Sequence, residues 1–347
     1  MIPELPTTGP VTVGAPAPVP ERSRTPPSTS ATTSPAFSST TSPASSAPLS
    51  LLPLGAILLS VVLWASAFVA IRSVGPEVSP GALTLGRLAV GSLALGVLVA
   101  VRRPAWPARG DWPRLVTIGV LWFAVYNVSL NAAELRVDAG TAAMLVNVGP
   151  VLLAVLAGLS LGEGFPRPLL VGSAIGLAGV VLIGVATSTG ADADVWGSVL
   201  CVVAAVAYAV AVVLQKPLLG RLSALQVTWI ACTVGAVATL PFAPQLVTDL
   251  STAGPGAIAT VLYLGLGPTA IAFTTWAYAL ARTSAGRLGA TTYLVPPIAI
   301  GLGWLLLDEV PPLLALAGGA LCLVGVSVTR RRARGPATKP TAPSAGR

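Results

Sequence analysis

The chain has 347 residues, 54% of them hydrophobic and only 9% charged, with no histidine and a formal net charge of +8. A soluble domain carries about 25% charge, so this composition, with a mean hydropathy of +0.83, excludes a water-exposed globular surface and points to the bilayer as solvent. The missing histidine removes the commonest metal ligand and neutral-pH general base, and the basic excess suits anionic headgroups without calling for nucleic acid.

In chain order, residues 1–50 are rich in Pro, Ser and Thr with few large apolar side chains. Such a tail cannot bury enough surface to offset its ordering entropy and is expected to be disordered. It lacks the basic-then-apolar pattern of a cleaved signal peptide. From Leu51 onward, ten apolar stretches are each about long enough to cross ~30 Å of hydrocarbon: 51–71, 81–101, 114–134, 140–160, 168–187, 196–215, 224–243, 256–278, 287–307 and 311–329. These lengths predict helices, because a barrel strand needs only about ten residues and alternates polar with apolar. A basic tail, expected to be disordered, fills 331–347. Cys201, Cys232 and Cys322 fall inside apolar runs and read as small packing residues.

The punctuation of the apolar text repeats. Gly140, Pro150, Glu163, Gly172 and Gly179 reappear 146 positions later as Gly286, Pro296, Glu309, Gly318 and Gly325. Residues 51–190 and 195–330 are therefore expected to be two copies of a five-helix unit, a common basis for carriers. With the N-terminus cytoplasmic, inner loops hold nine basic residues (Arg102, Arg103, Arg109, Arg114, Arg167, Lys216, Arg221, Arg282 and Arg287) against Arg72 and Arg136 outside. That asymmetry sets the orientation and puts both termini in the cytoplasm. Five is odd, so the second copy enters the membrane in the opposite sense. The expected fold class is an all-α integral membrane protein of ten helices in two inverted repeats.

Several segments carry a family resemblance. In the first repeat they are Leu63-Trp64-Ala65-Ser66-Ala67-Phe68, Arg87, Gly140 through Pro150 and Leu161-Gly162-Glu163. In the second they are Leu264-Gly265, Pro268-Thr269-Ala270, Tyr278-Ala279-Leu280, Thr292 through Pro297 and Leu307-Asp308-Glu309. In their order and doubling the chain resembles the EamA family of the drug/metabolite transporter superfamily over about residues 51–330. Asp308 stands where that family favours Gly, and Ala277 where Asn is frequent. The resemblance implies a ten-helix bacterial inner-membrane carrier, often an exporter of amino acids or related metabolites.

Polar side chains inside spans are costly and usually face the bundle interior. Phe123, Asn127 and Asn131, spaced by four on the third span with Tyr126 beside them, are candidates to bind substrate; the alternative is interhelical hydrogen bonding. Asn147 lies one turn before Pro150, and the proline frees a carbonyl that either lines a cavity or permits a kink. Trp64 and Tyr208 are related by a shift of 144 and read as a gate, a stacking platform or ordinary packing. Thr269, Trp276 and Tyr293 complete the candidate substrate set. Arg87, well inside the second span, either attracts an anionic group or bonds carbonyl ends of neighbouring helices. Pro150 and Pro296 are candidate gating positions. Glu163 and Glu309 either cap the helix that follows or couple protons.

No catalytic residue, metal site or cofactor is expected, and no Walker-type loop occurs. The leading expectation is a secondary carrier exporting amino acids or related small metabolites by alternating access, embedded in lipid, binding no nucleic acid and open to forming a homodimer. The first span has no carboxylate of the kind small multidrug pumps use, which argues against polycation/proton antiport. The competing class is a membrane enzyme acting on a lipid or isoprenoid. Asp192-x-Asp194 superficially suits diphosphate chemistry, but it has no second acidic cluster and reads as an outward loop.

Overall fold

The computed structural model describes residues 51–75, 77–136, 145–187, 194–307 and 312–331, and every regular element among them is helical. In chain order these are α1 (Leu51–Val74), α2 (Pro80–Arg102), α3 (Arg109–Ala133), α4 (Gly149–Ser160), α5 (Arg167–Thr187), α6 (Val195–Leu218), α7 (Ala224–Ala238), α8 (Leu240–Thr252), α9 (Pro255–Leu280), α10 (Ala285–Leu306) and α11 (Leu313–Thr329). Among the described residues, seven of these are long and apolar enough to cross a bilayer. α7 and α8 add an eighth span if the pair, bent by 52°, is taken as one. α4 and α11 are apolar but only 12 and 17 residues long, short of the ~20 that span hydrocarbon unaided.

The surface is apolar and the interior carries the polar groups, the reverse of a soluble fold. Leu93, Val97 and Val101 on α2, Val199 and Val206 on α6, and Leu305 and Leu323 near the C-terminus are exposed. Ser60, Thr84, Arg87, Asn127, Gln215, Thr228 and Thr269 are buried. In lipid, polar groups find partners only within the bundle. Ser60 accordingly donates to Ala272 O at 3.0 Å, Ser92 meets Thr233 at 2.7 Å, and Asn131 donates to Thr84 Oγ1 at 3.0 Å.

The two repeats interlock through small residues. A Cβ placed on Gly172 would lie 2.6 Å from Gly325 O, and one on Gly179 would lie 2.6 Å from Gly318 O. Between them the Cys322 thiol contacts Gly176 O at 3.5 Å. As residue numbers rise on α5 they fall on α11, so these two repeat-related helices pack antiparallel, backbone against backbone. A second reciprocal contact joins the inner helices. Gly119 on α3 abuts Val234 and Ala231 O of α7, while Gly265 on α9 abuts Val90 and Arg87 O of α2. In the same way α1 packs on α9 and α10 of the second repeat, and α6 packs on α3 and α4 of the first.

Both inner helices widen at the same repeat position. π-helical turns occupy Gly119–Val125 in α3 and Gly265–Ile271 in α9, again displaced by 146. In α9 the cause is Pro268, which has no N–H to offer Leu264 O. The Thr269 hydroxyl takes that carbonyl at 2.8 Å. In α3 the Asn127 side-chain amide bonds the carbonyls of Trp122 and Phe123 at 3.0 and 2.9 Å. Pro150 and Pro296, the candidate gating prolines of the fourth and ninth spans, sit differently. Pro150 falls in the first turn of α4, where a missing N–H costs little. Pro296 follows a 3₁₀ turn, Thr291–Leu294, inside α10.

Because the α5–α11 contact has no room for a methyl group, Gly179→Ala should destabilise the detergent-solubilised protein by about 1–3 kcal/mol. Gly301→Ala, whose Cβ meets nothing within 4 Å, should be neutral or slightly stabilising. Thermal unfolding of the two variants beside the parent checks this; equal midpoints would contradict the seam.

Candidate functional site

Aromatic residues from both repeats converge at the centre of the bundle. Trp64 of α1 lies 4.9 Å from Trp276 and 5.3 Å from Phe273, both on α9. Trp122, in the α3 π-turn, is 4.9 Å from Phe273 and 5.6 Å from Tyr208 of α6. The contacts are edge-on or tilted, the arrangements ring quadrupoles favour at about 0.5–1.5 kcal/mol per pair. Trp64 also donates from Nε1 to Pro268 O at 3.2 Å, tying α1 to the α9 π-turn.

A cavity of about 100 Å³ opens beside this cluster. Its apolar wall includes Trp64, Phe68, Ile71, Trp122, Tyr126, Leu130, Pro150, Tyr208 and Phe273, and its polar lining is Arg87, Asn127, Asn147 and Thr292. Residues from both repeats contribute. Among the described lining residues no carboxylate occurs, and Arg87 is the one charged group.

Of the residues singled out from sequence, Trp64, Tyr126, Asn127, Asn147 and Tyr208 line this cavity, together with Arg87 and Pro150. The remaining substrate candidates lie elsewhere. Phe123 is fully buried against Phe273 at 4.6 Å. Asn131 faces α2, donating to Thr84 Oγ1 and, at 3.4 Å, to Pro80 O. The π-turn over Gly119–Val125, which contains Phe123, breaks the spacing that would have put Phe123 on the same face as Asn127. Trp276 is sealed behind Trp64. Tyr293 packs on Gly176 in the α5–α11 cluster. Thr269 is buried and reaches the site only through Arg87, accepting from its Nε at 3.0 Å. Trp122 and Phe273 were missed. For Trp122 a signal was present, since it and Pro268 occupy equivalent positions in the two repeats. Thr292, in the Thr292–Pro297 segment picked out from the sequence, lines the cavity as well.

A second cavity, of about 390 Å³, lies at the other end of α1. It is lined by Pro53, Leu54, Ile57, Glu163, Arg282, Arg287, Thr291 and Arg330 among others. Thr291 faces this cavity and Thr292 the central one, so a single turn of α10 stands between the two. That turn is held from the first repeat. Glu163, flanked by Gly162 and Gly164 at positive φ, accepts the Ala285 and Gly286 amides at 2.6 and 3.0 Å. Ser284, the residue preceding α10, makes no side-chain capping bond, so Glu163 supplies the cap. Glu163 thus caps α10, not the helix that follows it in sequence. Lys216 of α6 donates to Leu280 O and Thr283 O, capping the end of α9 on the other side of the same turn. Glu309 lies outside the described residues, as does Asp192. Asp194 caps α6, accepting from Trp196 and Gly197 and pairing with Arg136 at 3.1 Å. The Gly197 amide first, then Arg136, holds its carboxyl below the usual range.

Comparison with known proteins places this architecture. The EamA-like transporter family matches residues 51–185 and 195–331. The "Probable terminal-alkyne amino-acid exporter" of Streptantibioticus cattleyicolor is 41% identical over 284 residues, covering 81% of this chain and 94% of that relative. "Uncharacterized transporter YdfC" of Bacillus subtilis is 32% identical over 271 residues, 78% of this chain and 88% of its own. A solved crystal structure aligns with a TM-score of 0.65 at 22% identity, over 80% of this chain and 96% of that one, and bears on the fold alone. Two matched repeats, apolar multi-pass helices and a cavity between the repeats have one meaning together: the chain belongs to the EamA-like transporter family.

Proposed function

We propose that this protein is a secondary transporter that exports amino acids or closely related small metabolites by alternating access. Its ten spans form two inverted five-helix repeats in the cytoplasmic membrane, with both termini inside. The antiparallel packing of α5 on α11 supports inversion, because a pseudo-two-fold axis lying in the membrane plane reverses a helix, whereas an axis along the normal would not. α4, α11 and the bent α7–α8 pair supply the remaining crossings. The basic loops give the orientation.

The observation that carries the reading is the central cavity built by both repeats and separated by one turn of α10 from a second cavity at the opposite end of α1. Releasing Glu163 from the Ala285 and Gly286 amides would let that turn move and join the two spaces, opening the site to the cytoplasm. Arg87, the neutral amides of Asn127 and Asn147, and the aromatic faces of Trp64, Trp122 and Tyr208 suit a small zwitterion with an apolar side chain. Aromatic faces attract an ammonium. The name of the Streptantibioticus cattleyicolor relative points to the same substrate class.

Four outcomes follow from this reading. In proteoliposomes preloaded with unlabelled amino acids, the protein should drive counterflow of the labelled ones. Asn147→Ala should raise the half-saturating concentration several-fold, as the loss of one hydrogen bond worth about 1 kcal/mol does; unchanged kinetics would return Asn147 to packing. For topology, single cysteines at Gly220 and Ser251, in a background lacking the three native ones, should label from opposite faces of the membrane. Labelling from one face would end the inverted arrangement. For the gate, a cysteine at Thr292 should react with an impermeant thiol reagent from the cytoplasmic side several-fold faster when Glu163→Gln weakens the charge-assisted cap. Equal rates in a variant of unchanged thermal midpoint would remove Glu163 from gating.

A further inference from the structure

Arg87 sits on α2 within the hydrocarbon-depth part of the bundle and is 5% exposed. A charge held there is costly unless something compensates it, and an intramembrane ion normally has an identifiable partner. None of the ion pairs among the described residues involves Arg87, and the charge of Glu134 acts on it electrostatically. Its hydrogen bond is to Thr269, whose Oγ1 accepts from Nε at 3.0 Å.

The environment of that hydroxyl fixes the guanidinium. Pro268 leaves Leu264 O without its α-helical donor, and the Thr269 hydroxyl gives its proton to that carbonyl at 2.8 Å. The oxygen therefore presents only lone pairs to Nε. One edge of the planar fork is pinned to the α9 π-turn, and both Nη groups are left without a protein hydrogen-bond partner among the described residues. Arg87 lines the central cavity. A guanidinium held in this way offers two parallel N–H donors, the geometry that takes a carboxylate bidentately.

We propose that Arg87 is the anchor for the substrate's carboxylate and that Thr269 positions it. The inference rests on the transport reading above and deepens it by naming the group recognised. The polarity of the cavity agrees. The Asn127 side-chain nitrogen is consumed by the Trp122 and Phe123 carbonyls, so its Oδ1 is the acceptor that remains for an ammonium. Carboxylate at Arg87 and ammonium at Asn127 select an α-amino acid over either a simple amine or a simple acid.

The test is counterflow of labelled L-leucine in proteoliposomes, competed by unlabelled L-leucine, L-leucinamide or isopentylamine. The wild type should be inhibited by leucine at a concentration tenfold or more below that needed of either analogue lacking the carboxylate. This arm needs no variant. Arg87→Gln should raise the half-saturating concentration by about tenfold or more, the usual cost of a charge-assisted bond, and should abolish the preference for leucine over leucinamide. Arg87→Lys should recover part of the affinity. Thr269→Val should raise the half-saturating concentration several-fold with little change in maximal rate, and Thr269→Ser should restore it. Equal inhibition of the wild type by leucine and leucinamide would overturn the anchor while leaving transport standing. The same holds for an Arg87→Gln variant of unchanged affinity and preference. A wild type that moves no leucine would overturn the transport reading, and the anchor with it.

Discussion

Hydrocarbon outside the bundle turns the polar groups of this chain inward, where any partner must be found, and the rest of the structure follows from that constraint. Serine and threonine hydroxyls on α1, α2 and α9 bond backbone carbonyls or one another across helices, and α1 is tied to the α9 π-turn through the Trp64 indole. No hydrophobic effect separates a leucine facing lipid from one facing another helix. Close approach of small residues and interhelical hydrogen bonds therefore hold the two repeats together, which is why glycine marks each reciprocal contact.

The paired π-turns connect that packing to function. Each begins at a glycine that lets its helix approach a neighbour from the other repeat, and each widens the helix by a residue. Widening frees carbonyls, and the side chains that satisfy them are Asn127 in α3, which lines the cavity, and Thr269 in α9, which reaches it through Arg87. A local departure from α-helix is thereby converted into polar chemistry at the centre of the membrane. Because the departure occurs at the same position in both copies, the cavity receives such chemistry from both sides.

The clamp on the turn between α9 and α10 belongs to the same logic. A helix end inside a bundle leaves unpaired amides and carbonyls, and both ends meeting there are capped by charged residues from elsewhere in the chain: Lys216 from α6 and Glu163 from the loop after α4. Capping by remote residues makes the integrity of the turn depend on how the repeats are docked. A rigid-body movement of one repeat against the other necessarily strains the Glu163 bonds, which cross between repeats, whereas the Lys216 bonds lie within the second repeat.

Composition, the length of the apolar runs and the 146-residue offset determined by themselves that the chain is helical, lives in membrane and is a duplication, because lipid permits few alternatives and a repeat leaves its spacing in glycine and proline. Trp64, Tyr126, Asn127, Asn147 and Tyr208 were recognisable as candidates for the bundle interior, since polar and amphipathic groups inside spans turn away from lipid, and they line the cavity. Only the tertiary structure decided which carboxamide faced the cavity and which tied helices together, because Asn131 meets Thr84 of α2 only once the helices pack; the π-turn over Gly119–Val125 likewise moves Phe123 off the face that a 3.6-residue period predicts. It also decided that Glu163 caps a helix of the opposite repeat and that Arg87 leans on Thr269. Those partners lie more than 100 residues apart in sequence, and no local pattern encodes a contact made only when two repeats fold against each other.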